Sequence, residues 1–337
     1  MKKSKFIKIG IKVLITKLFN IQKPVSVTLS VTNNCNSSCI YCGYKNREHL
    51  DLSTEEIKKI IDVVCKLGVE RIGIWGGEPL IRKDIGQIID YIISKGLYVT
   101  LDTNGYLIKD KLEIIKKVNH IIVSFDGLEE CHDINRGKNS YKRVFETIKF
   151  LSENQIKFST ITVLTKNNIS KKNIDFILEL STKYHFSTTF QILHHNSKIG
   201  ADYKAILPTD KEYKEILTYI YNKKKENKLI ANSDNYFKYL LNWNNLRKVY
   251  SNEKTKIKCM ESMSYFNIDT NGKLYPCSIL IDDISGIDYN SKNPLKKIKK
   301  IKDKIGCNSC VCGCFVEYNN LFSLNISTVF QWIKNLL

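Results

Sequence analysis

The stretch Val31-Thr32-Asn33-Asn34-Cys35-Asn36-Ser37-Ser38-Cys39-Ile40-Tyr41-Cys42 places three cysteines at C-x3-C-x2-C spacing, directly after a β-branched run that reads as a strand. Soft thiolates crowded this closely select zinc, copper(I) or an iron–sulfur cluster. The informative count is three ligands rather than four. A cubic four-iron cluster held by three cysteines keeps one iron open, whereas structural zinc closes its fourth position, and nothing nearby supplies that ligand. A partial zinc knuckle is the competing reading of this segment taken alone.

Outward from this stretch, the pattern alternates strand and helix. Strands are expected at Val25–Val31, Arg71–Trp75, Tyr98–Asp102, His120–Phe125, Phe158–Leu164 and Thr188–Leu193. Helices are expected between them at Thr54–Lys66, Asp84–Lys95, Lys109–Lys117, Tyr141–Asn154 and Ser170–Tyr184. Ser53 or Thr54, with Glu56 close behind, can cap the first helix, and Gly68 and Gly96 follow the ends of the first and second. Six strands joined by crossover helices make an α/β protein with a parallel sheet, and periodicity leaves barrel or open sheet undecided.

The 337 residues suffice for one large core and a smaller appended unit, and the composition is that of a globular protein, 43% hydrophobic and 26% charged. Eleven cysteines without a secretory signal point to thiolate metal sites in a reducing, cytoplasmic compartment rather than to disulfides. The net charge is +19, yet Arg47, Arg71, Arg82, Arg136, Arg143 and Arg247 are the only arginines. Lysine supplies the rest. Nucleic-acid readers lean on arginine forks and interleaved aromatics, so no specific nucleic acid is expected, although the charge allows a polyanionic partner.

The motifs in order resemble the radical SAM superfamily. Cys35, Cys39 and Cys42 match its cluster spacing. Trp75-Gly76-Gly77-Glu78-Pro79 matches its GGEP segment, Thr103-Asn104-Gly105 a third-strand ending and Ser124-Phe125-Asp126-Gly127 a fourth-strand ending. The resemblance covers roughly residues 25–195. It implies a partial (β/α)6 TIM-type barrel, with every motif at a strand's C-terminal end. It also implies a [4Fe-4S] cluster on Cys35, Cys39 and Cys42 whose open iron is chelated by S-adenosyl-L-methionine (SAM). Tyr41 would pack near the adenine, Gly76, Gly77, Glu78 and Pro79 would meet the methionine amino group, and Asn104 and Ser124 would contact other polar parts, as would Asp126 unless it simply caps the loop running to Arg136. The implied activity is reductive cleavage of SAM to a 5′-deoxyadenosyl radical that takes hydrogen from a substrate, with flavodoxin or ferredoxin as electron donor. Arg136 has the planar fork for a carboxylate, with a surface salt bridge as the alternative. His194 and His195 follow the sixth strand and are left unassigned.

A second cysteine set lies downstream. Cys259, Gly272 and Cys277 frame a hairpin with a glycine turn and match the opening of the SPASM and shorter twitch auxiliary-cluster domains; Cys307, Cys310, Cys312 and Cys314 follow. Six cysteines are present where the full SPASM pattern has seven, and its C-x5-C step is missing. The resemblance therefore implies one auxiliary [4Fe-4S] cluster. Cys259 and Cys277 would be ligands with Cys307 and Cys310, and Cys314 is able to replace one of these. Zinc on the same thiolates is the rival. Cys65, in a helix, and Cys131, in a loop after the fourth strand, read as ordinary thiols.

The expected organisation is an N-terminal basic amphipathic helix (1–24), the core barrel (25–195), connecting helices (196–258), the auxiliary domain (259–320) and an amphipathic tail (321–337). On a helical wheel Ile7, Ile11, Leu14 and Leu18 form one stripe with lysines off it. Such a stripe packs on the barrel or lies on a membrane surface, and helical stripes more often face protein. Substrates of a SPASM or twitch relative include peptides, sugars and lipid-linked molecules. The short stretch before the barrel leaves no room for a leader-binding domain, which weighs against a ribosomal peptide. An RNA-modifying enzyme and a non-catalytic cluster scaffold are the rival functions.

Overall fold

A computed structural model of the chain describes residues 3–47, 51–193, 203–226, 229–251, 255, 257–281 and 283–323. Helix α1 (Lys3–Phe19) precedes strand β1 (Ser26–Ser30). The alternation then runs α2 (Thr54–Lys66), β2 (Arg71–Trp75), α3 (Ile85–Ser94), β3 (Tyr98–Thr103), α4 (Leu112–Ile115), β4 (His120–Ser124), α5 (Glu129–Arg136), α6 (Ser140–Glu153), β5 (Phe158–Leu164), α7 (Lys171–Lys183) and β6 (Ser187–Ile192). Beyond it lie α8 (Asp210–Glu226), α9 (Asp234–Leu241), β7 (Tyr250–Ser251), β8 (Tyr265–Ile268), β9 (Lys273–Tyr275), β10 (Ile287–Asp288), α10 (Pro294–Ile305), β11 (Ser309–Cys310) and α11 (Gly313–Phe322).

Local chemistry explains the boundaries. Ser53 caps α2 by accepting from the Glu56 amide, while the Glu56 carboxylate accepts from the Ser53 amide, a reciprocal capping box. Ile57, Ile60, Ile61 and Val64 of α2 recur at helical spacing and are fully buried against the sheet. Burying each such side chain contributes about 1.5–3 kcal/mol before entropy is charged against it. The third helix expected between the strands departs from expectation: Lys109–Lys117 holds only a 3-10 turn and the single turn α4. Where a loop is expected after β4 the chain forms helix α5, and Cys131 lies within it. Its sequence, Glu-Glu-Cys-His-Asp-Ile-Asn-Arg, carries no apolar stripe to announce it.

Strands β1 to β6 pair in parallel and in sequence order, and the barrel they begin is not closed. The hairpin β8–β9 is not a separate layer. Strand β8 pairs in parallel with β1, Ser26 opposite Tyr265, giving a nine-stranded sheet ordered β10-β9-β8-β1-β2-β3-β4-β5-β6. The interior face is polar where such barrels are usually filled by branched apolar side chains. Near the strand starts, Arg71 donates to Ser26 Oγ (2.8 Å) and Thr100 Oγ1 (2.6 Å), and His120 Nε2 meets Ser159 Oγ at 2.9 Å. Helix α11 lies across this interior, its Tyr318 ring under the Arg71 guanidinium and Gly313 against Gln191 of β6.

Candidate active site

The loop after β1 carries Cys35, Cys39 and Cys42, all half-buried and free of disulfides. It is clamped from three sides. Gly77 N donates to Thr32 O and Glu78 N to Asn34 O, both at 2.8 Å, so the β2 exit lies directly on the cysteine loop. The approach leaves no room for a side chain: a Cβ on Gly77 would stand 2.1 Å from Asn34 O, and one on Gly76, at φ +131°, 2.4 Å from Thr32 O. The close backbone contact that these glycines permit is thus made to the chain itself.

Glu78 is buried and fastens β2 to β3. Its carboxylate accepts from Leu80 N (3.0 Å), Thr103 Oγ1 (2.8 Å) and Asn104 N (2.7 Å). Burial pushes its pKa up to about 7 against the pull of those donors. Pro79 opens the buried turn that follows. Asn104 in turn donates to Asn36 Oδ1 at 2.7 Å inside the cysteine loop, and its side chain also reaches the Cys35 thiol.

The third clamp comes from β4 and α5. Asp126, fully buried, accepts from Arg136 Nε (2.9 Å) and Nη2 (3.2 Å), Tyr41 Oη (2.9 Å) and Val163 N (3.1 Å). The Arg136 fork is therefore engaged by Asp126, and the pair is buried rather than on the surface. Its Nη1 faces Cys39 Sγ at 4.0 Å. Ser37 Oγ donates to Arg136 O (3.0 Å) and Ile40 N to Asn135 O (2.9 Å), so the end of α5 holds the loop by backbone as well. Ser124, half-buried, shares the interior-facing side of β4 with His120 and Ile122. Three residues that sequence reasoning missed complete the seat. Asp51 accepts from Asn33 N (2.9 Å) and Thr32 Oγ1, Arg82 donates to Val31 O (2.7 Å), and Arg47 forms a buried ion pair with Asp269 beside the β8–β9 turn. Nothing in their spacing announced them. His194 and His195 lie outside the described residues, as does the tail from residue 324.

The donor sets fit iron–sulfur clusters. Burial, reinforced by the neighbouring Cys39 thiol, pushes Cys42 up to about 11 and raises Cys35. Cys259 rises to about 11 and Cys307 to about 12, burial again leading, and burial also raises Cys277 and Cys310 well above the ordinary thiol value. Those four act on one another and on the buried Glu261. Cys314 acts on Asp102 and Arg71 on one side and on Cys312, the neighbour of Cys310, on the other. Buried thiols that oppose one another's ionisation need a cationic centre to hold them as thiolates. Among the described residues no three His, Cys, Asp or Glu side chains converge closely enough to hold a single metal ion.

Residues 29–177 match the family profile described as the Radical SAM superfamily. The chain belongs to that superfamily and is an enzyme of the radical SAM class. It is 28% identical over 279 residues to an AdoMet-dependent heme synthase of Methanosarcina barkeri, covering 76% of this chain and 77% of the relative. It is 25% identical over 280 residues to a PqqA peptide cyclase of Bradyrhizobium diazoefficiens, covering 80% and 70%. Streptococcus suis SuiB bound to S-adenosylmethionine superposes with a TM-score of 0.67 at 18% identity, covering 85% of this chain and 68% of SuiB. The structure of anSMEcpe with AdoMet and the Cp18Cys peptide gives 0.62 at 19%, covering 84% and 83%. These two likenesses show the fold.

Glu317, on α11, supplies a pH test of the interior packing. Its carboxylate accepts from Ser233 N at 2.7 Å, and burial raises it from its ordinary 4.5 to about 7. A raised carboxyl stabilises the fold fully below the lower value, and that contribution is lost as pH climbs through the higher one. Relative to Glu317→Gln, the parent should lose about 1–3 kcal/mol between pH 5 and 8 in urea unfolding. Parallel curves for the two proteins would contradict this.

Proposed function

We propose that the chain reductively cleaves S-adenosylmethionine at a [4Fe-4S] cluster on Cys35, Cys39 and Cys42 and takes hydrogen from a polar, peptide-type substrate held in the barrel. The observation that carries this is the three-sided clamp on the cysteine loop. Bound together, the cluster and SAM would supply a 5′-deoxyadenosyl radical. The chain's own residues seat the loop: Gly77 and Glu78 from β2, Asn104 from β3, and the Asp126–Arg136–Tyr41 cluster from β4 and α5. Tyr41, Asn104, Ser124 and the GGEP segment surround the place where SAM would lie. Arg136 sets a positive charge by Cys39 and acts on SAM through the loop it holds.

The substrate reading rests on the interior. Trp75 Nε1 and Gln191 Oε1 are buried without a hydrogen-bond partner, and Asp102, Arg71 and Cys314 face the same space. Orphaned polar atoms of this kind fit a polar occupant better than an apolar one. A peptide is favoured because one sequence relative is a peptide cyclase and two fold neighbours have been crystallised with peptides. Cys259, Cys277, Cys307 and Cys310 would hold an auxiliary [4Fe-4S] cluster, and a flavodoxin or ferredoxin of the reducing cytoplasm would deliver electrons.

The test is anaerobic. Reconstituted protein with SAM and dithionite should release 5′-deoxyadenosine without substrate, and Cys39→Ala should not. The parent should hold about eight iron per chain. Iron near four would remove the auxiliary cluster, and absence of 5′-deoxyadenosine from fully loaded protein would leave a scaffold in place of an enzyme.

A further inference from the structure

We propose that the outer face of α1 docks on an anionic phospholipid surface. The helix does pack on the protein, but through the side opposite its apolar stripe. Val13 and Thr16 are buried, and Lys12 donates to Gly68 O (2.6 Å) and pairs with Glu70 (2.5 Å). The stripe itself faces water: Ile11 is 53% exposed, Leu14 44% and Leu18 66%, continued by Phe19 at 69% and Ile21 at 43%. Among the described residues, only Ile93, Ile134 and Tyr250 are other large hydrophobic side chains so exposed. Five such residues within one short segment make a patch, and a patch marks a partner.

Charge chooses the partner. Lys8 and Lys17 flank the stripe on its two sides, Lys8 pairing with Glu70 (2.9 Å) while 63% exposed and Lys17 donating to Ser323 O (2.7 Å) at the surface. Residues 1–24 carry Lys2, Lys3, Lys5, Lys8, Lys12, Lys17 and Lys23 with no Asp or Glu, so a net positive charge remains after Glu70 is counted. A second copy would bring the same lysines against these. Residues 324–337 have apolar side chains but no acid, Lys334 being their only charged residue, so they leave the lysines unanswered. RNA would answer the lysines and leave the stripe in water. An anionic bilayer serves both, with the stripe at the acyl boundary and the lysines among the headgroups. The contact is peripheral, since no helix among the described residues is long and apolar enough to cross a membrane.

The experiment is flotation of the full chain with phosphatidylcholine vesicles, with and without phosphatidylglycerol. Binding is expected only with the anionic lipid, and it should weaken as salt rises. Leu18→Asp with Phe19→Asp should cut the bound fraction about tenfold or more while leaving the unfolding midpoint unchanged, because both side chains already face water. The proposal is overturned if the chain stays with neither vesicle, or if the double variant floats like the parent. It is equally overturned if Phe330→Asp with Trp332→Asp abolishes binding that the α1 variant retains. A dimer in light scattering that the α1 variant dissociates would make the stripe a face between copies instead.

Discussion

Arg136→Met is expected to destabilise the protein by about 3 kcal/mol, because it strands a buried carboxylate. Asp126 and Arg136 are 0% and 7% exposed at their side chains, so water cannot take the place of the lost guanidinium. Breaking such a pair typically costs about 3–5 kcal/mol. The lower end applies here because Tyr41 Oη and Val163 N still donate to Asp126. Guanidinium unfolding of the apo-protein measures the loss. Asp126→Leu combined with Arg136→Met should recover much of it, since the stranded charge goes too. A loss below about 1 kcal/mol, the range of exposed pairs, would mean that the carboxylate is neutralised in some other way.

Gly77→Ala should empty the cysteine loop of its cluster while leaving the auxiliary one. The added methyl has nowhere to go, since the three nearest atoms it meets, Asn34 O at 2.1 Å and Asn33 O and Asn34 C at 2.7 Å, are backbone of the loop itself. Relieving that clash breaks the Gly77–Thr32 and Glu78–Asn34 hydrogen bonds and shifts the residue next to Cys35. Overpacking of this kind costs about 1–3 kcal/mol, and here the movement is forced onto the ligand loop. Reconstituted iron should fall from about eight to about four per chain. Gly10→Ala is the control, because nothing stands within 4 Å of its added carbon. Full iron in Gly77→Ala would show that the loop yields without harm.

Much of this was legible because it is local. Period-two and period-3.6 patterns placed the six core strands and α2, α3, α6 and α7 to within a residue or two, and Ser53–Glu56 announced its own cap. What stayed hidden is long-range or unpatterned. Strand β8 pairs with β1 across more than two hundred residues, and no periodicity names its neighbour. The Arg47–Asp269 pair spans a similar separation. Helix α5 is held by a buried face of polar side chains, His132, Asn135 and Arg136, rather than by an apolar stripe, so its wheel shows nothing. For α1 the stripe was visible but its direction was not: Val13 and Thr16 made the packing face, leaving the more regular apolar row outside.

The parallel seam between β1 and β8 makes the two cysteine regions one building. A clone ending before Cys259 would strip β1 of its partner and turn a central strand into a bare, β-branched border, the kind that recruits other chains into aggregates. The Arg47 guanidinium would lose Asp269 in the same cut. Dissecting the protein into a catalytic half and an accessory half is therefore expected to yield inclusion bodies, and the work of the second cysteine set must be probed by substituting residues within the intact chain.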